Sequence, residues 1–143
     1  MAVLVKDVMS RSVKTLPSDA TVADAARAMT KWKIGSLVIT EGHLPVGIIT
    51  EGDVSKCVAR GLDPNTTKAS ARRRPVITVG PGERVEEAAK MMANAGVKKL
   101  PVMEGKKLVG IITQTDIVST SFALVTSLKE MVQARYRPPD FEM

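Results

Sequence analysis

The heptapeptide Gly47-Ile48-Ile49-Thr50-Glu51-Gly52-Asp53 decides the fold, because it returns as Gly110-Ile111-Ile112-Thr113-Gln114-Thr115-Asp116. A shift of 63 residues superimposes the two heptapeptides, and the same shift aligns residues 13–54 with residues 76–117 without a gap. Fifteen of these 42 aligned positions are identical. The chain is therefore a tandem duplication whose period is longer than that of a solenoid repeat.

Each copy predicts the same order of secondary structure. In the first copy, an extended stretch at residues 13–15 precedes an amphipathic helix with apolar positions 22, 25, 26 and 29, which follow the i, i+3, i+4, i+7 spacing. Thr21 and Asp24 predict a capping box at the start of this helix. Two β-branched runs, residues 36–40 and 46–50, predict a hairpin. A second helix is expected to begin at residues 50–53 and to end near Gly61.

The second copy repeats this order, with an extended stretch at residues 76–79 and a last helix that continues to about Arg135. A half of about 60 residues is marginal alone, so the halves are expected to share one core. We therefore predict the α+β class, with two β-α-β-β-α repeats packed about a pseudo-twofold axis that creates two equivalent clefts. The predicted boundaries are residues 5–62, a linker at 63–70, residues 71–121, and a C-terminal helix extension and tail at 122–143.

Composition excludes several classes of protein. The 143 residues are 44% hydrophobic and 25% charged, which is globular usage. The single cysteine, Cys57, excludes an intrachain disulfide, and the single histidine, His43, argues against a metal centre or a histidine-based triad. We therefore expect no metal, no catalytic residue and no enzyme. The chain contains no apolar run of membrane-span length and no signal-peptide core near the N-terminus, so we predict a cytoplasmic location.

The element order, the period and the doubled Gly-Ile-Ile-Thr-x-x-Asp motif resemble a tandem pair of cystathionine β-synthase (CBS) domains, also called a Bateman module. The resemblance covers about residues 5–121 and implies a stand-alone two-CBS protein. Modules of this family bind adenosine-containing ligands, among them AMP, ADP, ATP and S-adenosylmethionine, and act in regulation and energy sensing. The resemblance therefore implies a nucleotide ligand and no catalytic cofactor.

Ribose recognition is the first role that the motif implies. A carboxylate accepts hydrogen bonds from both adjacent ribose hydroxyls, and the family uses the motif aspartate in this way, with the threonine three residues earlier close to the ribose or phosphate. The predicted residues are Asp53, Asp116, Thr50 and Thr113. The alternative is purely structural, because an aspartate at a helix start is commonly a cap.

Adenine is expected to lie between apolar walls, because the chain has few aromatic residues. In the family each cleft combines the motif of one repeat with the first strand of the other. The resemblance gives the cleft of Asp116 the residues Val13, Lys14, Ile34, Gly35, Ser36 and Ile111. It gives the cleft of Asp53 the residues Val76, Ile77, Val97, Lys98 and Ile48. Each of these apolar residues taken singly also fits an ordinary core position.

The phosphate requires cations, and here the two repeats differ. The second repeat has Lys98 and Lys99 where the first has Gly35 and Ser36, and Arg72 begins a run of three arginines. We predict phosphate contacts from Lys98, Lys99 and Arg72, although a solvated basic face is an equal alternative for the lysines. Two lysines suit a monophosphate better than a triphosphate, so AMP is expected to bind more tightly than ATP.

The predicted last helix carries more apolar residues than one small module can bury. We therefore expect a homodimer or a surface for another protein. The net charge of +6 keeps an alternative open, in which the clefts are vestigial and the chain binds proteins or nucleic acid. A ligand-dependent change in conformation or dimer packing would follow from the first interpretation, and steep salt dependence without a nucleotide response from the second.

Overall fold

The structure, a computed structural model, describes residues 2–72, 76–120 and 130. It confirms the predicted α+β class, because each repeat packs helices against an antiparallel hairpin. Residues 114–120 are also helical, and the predicted continuation of this helix to Arg135 lies outside the described ranges, apart from residue 130. The elements in chain order are α1 (Val5–Val8), β1 (Thr15–Pro17), α2 (Val22–Trp32), β2 (Ser36–Glu41), β3 (Leu44–Thr50), α3 (Glu51–Ala59), the 3₁₀ turn η1 (Ala69–Arg72), α4 (Val85–Ala95), β4 (Lys99–Glu104) and β5 (Lys107–Thr113).

The two hairpins have the same register. Ser36 pairs with Thr50 in β2–β3, and Lys99 pairs with Thr113 at the equivalent place in β4–β5. Both hairpins contain an irregularity at the same point, after Ile39 and after Val102. The duplication in sequence is therefore also a duplication of strand pairing, down to the position of the bulge.

The first strands of the two repeats differ in how far they pair with the neighbouring hairpin. In the first repeat β1 pairs with β2 in parallel, starting from Thr15 opposite Val38. In the second repeat only an isolated bridge forms, between Val79 and Val102. Pro101 occupies the position equivalent to Val38 and has no N–H for a ladder hydrogen bond, which accounts for the loss of the longer pairing.

The helix starts follow the predicted chemistry. Thr21 Oγ1 accepts a hydrogen bond from the Asp24 N–H at 3.1 Å, and Asp24 Oδ2 accepts one from the Thr21 N–H at 2.9 Å. The predicted capping box at α2 is therefore confirmed. At the C-terminal end of α3, Gly61 adopts a φ of 72° just beyond the last helical residues, as expected for a terminating glycine.

Each repeat has its own hydrophobic cluster, and each cluster includes a residue from the segment that precedes the other repeat. Val5, from the N-terminal segment, is fully buried in the cluster of the second repeat, and its N–H donates to Glu83 O at 2.8 Å. Ala69, from the predicted linker, is fully buried in the cluster of the first repeat, and its N–H donates to Ala20 O at 2.8 Å. Each repeat core thus uses a segment that precedes the other repeat in sequence, whereas the predicted boundaries follow chain order and stay predictions.

The N-terminal segment also joins the sheet of the second repeat. Ser10 and Ile111 exchange two backbone hydrogen bonds of 2.9 Å, in an antiparallel bridge. This pairing lays residues 9 and 10 directly over Gly110 of the second heptapeptide. No helix within the described ranges is long and apolar enough to cross a membrane.

Candidate ligand cavity between the repeats

A cavity of about 590 Å³ lies where the strand-to-helix junctions of the two repeats meet. Its volume lies within the usual range for small-molecule sites, about 300–1,000 Å³. Both repeats contribute to its wall, as expected for a site on a pseudo-twofold axis. The predicted site residues that line it are Ile34, Gly35, Ser36, Ile48, Thr50, Val97, Lys98, Lys99 and Thr113.

Lys99 lies next to the pseudo-twofold axis that relates the two repeats. Its Nζ donates a hydrogen bond to the backbone oxygen of Ser36 at 3.3 Å. Ser36 and Lys99 are equivalent positions, since they are separated by the 63-residue period. A contact between equivalent residues requires that both lie next to the axis. The lysine therefore reaches from the second repeat across the cavity to the first.

The electrostatic environment of Lys99 differs from that of its neighbour. Lys99 is half-buried, and burial lowers the pKa of its ammonium, an effect that the nearby charge of Asp116 opposes in part. Lys98 is exposed. A cation that has lost part of its hydration gains more from an anionic partner than a fully solvated one. Lys99 thus provides a poorly hydrated positive charge in the cavity wall.

The motif aspartates form capping boxes. Asp53 is only 7% exposed, and its Oδ2 accepts hydrogen bonds from the Thr50 N–H at 2.8 Å and the Thr50 hydroxyl at 2.9 Å. Asp116 Oδ2 accepts the Thr113 N–H at 2.9 Å, and Thr113 Oγ1 accepts the Asp116 N–H at 3.1 Å. Both aspartates lie behind their threonines and outside the cavity lining. The capping interpretation is confirmed, and their contact with ribose stays a prediction.

The two threonine hydroxyls have different partners. The Thr50 hydroxyl donates to Asp53 within its own box. Among the described residues, Thr113 Oγ1 has only its bond from the Asp116 N–H, in which the hydroxyl oxygen accepts. Its hydroxyl proton therefore remains available to a ligand, and Thr113 is a lining residue of the cavity.

Several predicted residues do not line the cavity. Lys14 extends over the ring of Trp32, with Nζ 5.1 Å from the ring centroid, in a cation–π contact. Ile111 is buried under the N-terminal segment, and Arg72 lies on η1 with a buried Nε that has no hydrogen-bond partner among the described residues. The remaining three predicted residues outside the lining are Val13, Val76 and Ile77.

Sequence reasoning missed the two residues that follow the motif threonines. Glu51 and Gln114 line the cavity, and their N–H groups donate to the oxygens of Gly35 and Lys98 at 3.0 and 2.8 Å. The signal was present in the alignment of the repeats, where an acid faces a neutral amide at the same position of the heptapeptide. The other missed lining residues are Gly52, Gly96 and Thr115.

The described residues differ in what they could hold in the cavity. They include no group of three or more histidine, cysteine, aspartate or glutamate side chains that could hold a metal ion. Cys57 is buried in α3, and its Sγ lies 3.9 Å from Leu62 O. The cavity wall combines apolar residues, hydroxyls and backbone groups with the Glu51 carboxylate and two lysines, and the lysines can hold an anionic group.

Comparison with known proteins identifies the repeats. The family model of the CBS domain matches residues 5–60 and 70–122. An uncharacterized protein of Methanopyrus kandleri is 38% identical over 133 residues, which are 90% of this chain and 68% of that protein.

Two solved structures share the fold. The CBS domain pair of protein MJ0100, in complex with 5′-methylthioadenosine and S-adenosyl-L-methionine, is 30% identical with a TM-score of 0.75, over 86% of this chain and 98% of that one. A CBS domain protein from Pyrobaculum aerophilum, complexed with AMP, is 26% identical with a TM-score of 0.75, over 80% of this chain and 89% of that one. Since the family model covers most of the sequence and both repeats, the chain belongs to the CBS domain family and contains a tandem CBS pair.

Proposed function

We propose that this CBS pair is a regulatory module that binds adenine nucleotides, prefers AMP to ADP and ATP, and changes conformation or dimer packing on binding. The observation that carries the proposal is the half-buried Lys99 ammonium, which reaches across the cavity to Ser36 O. A partly desolvated cation in the wall of a mainly apolar cavity suits a ligand with a flat apolar part and an anionic part. The AMP, methylthioadenosine and S-adenosylmethionine complexes of similar CBS proteins support adenosine as the common element.

The phosphate is assigned to the second-repeat half of the cavity. Lys98 and Lys99 both line it. Two ammonium groups match the charge of a monophosphate. A triphosphate would bring two further negative charges into a partly buried space that offers no third lining cation among the described residues. This balance is the reason for the proposed order of AMP above ADP and ATP.

The ribose is assigned to the Thr113 side. The available Thr113 hydroxyl can donate to a ligand oxygen, and Asp116 stands directly behind it. Among the described residues only Oδ2 of Asp116 accepts a hydrogen bond, so Oδ1 retains its capacity to accept one. Adenine would then contact the apolar lining residues Ile34, Ile48 and Val97.

Isothermal titration calorimetry with adenosine, AMP, ADP and ATP tests the proposal. AMP should bind more tightly than ATP, and replacement of Lys98 and Lys99 by alanine should weaken AMP by about 100-fold, since each charge-assisted contact contributes about 1.5–3 kcal/mol before solvent screening. Adenosine affinity should change less than about threefold, because adenosine lacks the phosphate. A matched control is Lys106→Ala with Lys107→Ala, two exposed residues at the turn and the start of β5, away from the cavity lining.

Two results would contradict the proposal. Failure of adenosine and all three nucleotides to bind would remove the nucleotide function and favour the alternative of a protein- or nucleic-acid-binding module. Equal losses of AMP and adenosine in the double alanine variant would place the lysines in the scaffold. The homodimer, the cytoplasmic location and the absence of catalysis stay predictions, and residues 122–143, on which the dimer prediction depends, lie outside the described ranges apart from residue 130.

A further inference from the structure

The two halves of the cavity carry opposite charge. In the first repeat the lining residues after the strand are Glu51 and Gly52, and Gly35 and Ser36 lie opposite them. The equivalent lining residues of the second repeat are Gln114, Thr115, Lys98 and Lys99. Among the described lining residues, one half therefore presents a carboxylate and no cation, and the other presents two ammonium groups and a neutral amide. The backbone frame is shared, so the difference resides in the side chains.

Glu51 is held at the mouth of the first half by the same contact that holds Gln114. The Glu51 N–H donates to Gly35 O at 3.0 Å, and the Gln114 N–H donates to Lys98 O at 2.8 Å. The carboxylate carbon of Glu51 lies 3.6 Å from the point that a Cβ on Gly35 would occupy. The acid thus lies against the backbone position at which the second repeat carries a lysine.

No described cation forms an ion pair with the carboxylate of Glu51. Within the described ranges no lysine or arginine nitrogen lies within 4.0 Å of it, and the residue is exposed to the cavity. A phosphate entering this half would meet a like charge at short range, without a lysine to compensate. Like charges a few ångströms apart repel, and at an exposed carboxylate such as Glu51 the repulsion is reduced by solvent and salt.

We infer that Glu51 is a specificity-determining residue that excludes phosphate from the first-repeat half, so that each chain binds one nucleoside monophosphate, with its phosphate on Lys98 and Lys99. This inference rests on the proposed nucleotide function and adds the stoichiometry and orientation of the ligand. The position of Glu51 at the start of α3 also favours the helix. A purely structural role there would alter stability and leave the stoichiometry unchanged.

The internal repeat supplies the experiment. The double substitution Gly35→Lys with Glu51→Gln gives the first half the equivalents of Lys98 and Gln114, and Gly35 has no positive φ and only ordinary contacts for a new Cβ. Calorimetry of the wild-type chain should give one AMP per chain, and the double variant should give two. The single substitution Gly35→Lys should give a weaker second site, because Glu51 would pair with the new lysine.

The reciprocal substitution Gln114→Glu tests whether a carboxylate at this position weakens phosphate binding in the second half. It should weaken AMP binding about tenfold through one added like charge, and leave adenosine within about twofold. Circular dichroism and thermal melting establish that each variant is folded. Because Gln114→Glu is independent of the double variant, the inference stays testable if the latter does not fold.

The outcomes separate this inference from the proposed function. Two AMP molecules per wild-type chain, or an unchanged stoichiometry in the folded double variant, would overturn the inference while the nucleotide function stands. An unchanged AMP affinity in Gln114→Glu would also overturn it. If the wild-type chain binds neither AMP nor adenosine, the proposed function itself fails, and the inference falls with it.

Discussion

Replacement of Gly110 by alanine tests how the N-terminal segment is attached to the second repeat. A Cβ at this position would lie 2.5 Å from Met9 Sδ, 3.1 Å from Met9 Cγ and 2.9 Å from Ser10 O. The Met9 side chain can rotate away, whereas Ser10 O belongs to the backbone and accepts the Ile111 N–H. The substitution therefore acts on the pairing between the N-terminal segment and β5.

The expected cost has two parts. Overpacking at a closely filled position costs about 1–3 kcal/mol. The two 2.9 Å hydrogen bonds between Ser10 and Ile111 would lengthen as the segment moves, and each net backbone hydrogen bond contributes about 1 kcal/mol. Movement of the segment relieves part of the steric contact, so the steric and hydrogen-bond costs do not add fully. We expect the free energy of unfolding to fall by about 2–4 kcal/mol. For a domain of this size that lowers Tm by about 10 °C.

Urea denaturation of Gly110→Ala and of a matched control, Gly82→Ala, measures the effect. Gly82 has no atom within 4 Å of a new Cβ and no positive φ, so alanine there should be neutral or slightly stabilising. Equal stability of the two variants would refute the close approach of the N-terminal segment. Adding Met9→Ala to Gly110→Ala should restore only part of the loss, because Ser10 O remains in place. Full recovery would show that the backbone contact is absent.

Two pH dependences follow from the shifted pKa values. The hydrogen bonds from Thr21 and Arg27 lower the pKa of Asp24 below 3.8, so its contribution to stability is present above pH 3.8 and lost as the pH falls through the folded-state pKa. Asp24→Asn should therefore destabilise the protein at pH 7 and much less at pH 2.5 in urea titrations, and a deficit independent of pH would contradict this. Burial lowers the pKa of Lys99 below 10.5, so the cost of its charge is present at pH 7 and disappears as the pH rises toward 10.5. Wild type should gain stability relative to Lys99→Met between pH 8 and pH 10.5, and a constant difference would argue against the partly desolvated ammonium.

The elements that depend on local pattern could be predicted from the sequence. The doubled heptapeptide, the i, i+3, i+4, i+7 spacing and the Thr21–Asp24 pair were sufficient for the hairpins and for the α2 cap. Strand pairing and capping join residues close in sequence, so that information is present within a short window. The limited pairing of residues 76–79 could not be predicted in this way, since Pro101 removes a donor from a partner strand more than 20 residues away.

The candidate site could be predicted only in part. Nine predicted residues line the cavity because each repeat places its strand-to-helix junction at the same end of its hairpin. The contact of Lys14 with the Trp32 ring could not be predicted from the sequence, since it depends on how β1 lies beside the end of α2. The alignment of the repeats places Glu51 opposite Gln114, but the heptapeptide leaves this position variable, and the approach of the carboxylate to Gly35 depends on the fold.

The sequence by itself determined that this protein is a duplicated α+β unit with two equivalent strand-to-helix junctions, because both facts reside in periodicity and in contacts between near neighbours. Only the tertiary structure decided that Val5 packs in the core of the second repeat and Ala69 in the core of the first. It also decided that Lys99 contacts Ser36 next to the pseudo-twofold axis. The physical reason is the range of the interactions. Burial of a side chain, desolvation of a charge and the sign of the potential in a cavity each sum over residues that are distant along the chain, and the fold alone brings them together.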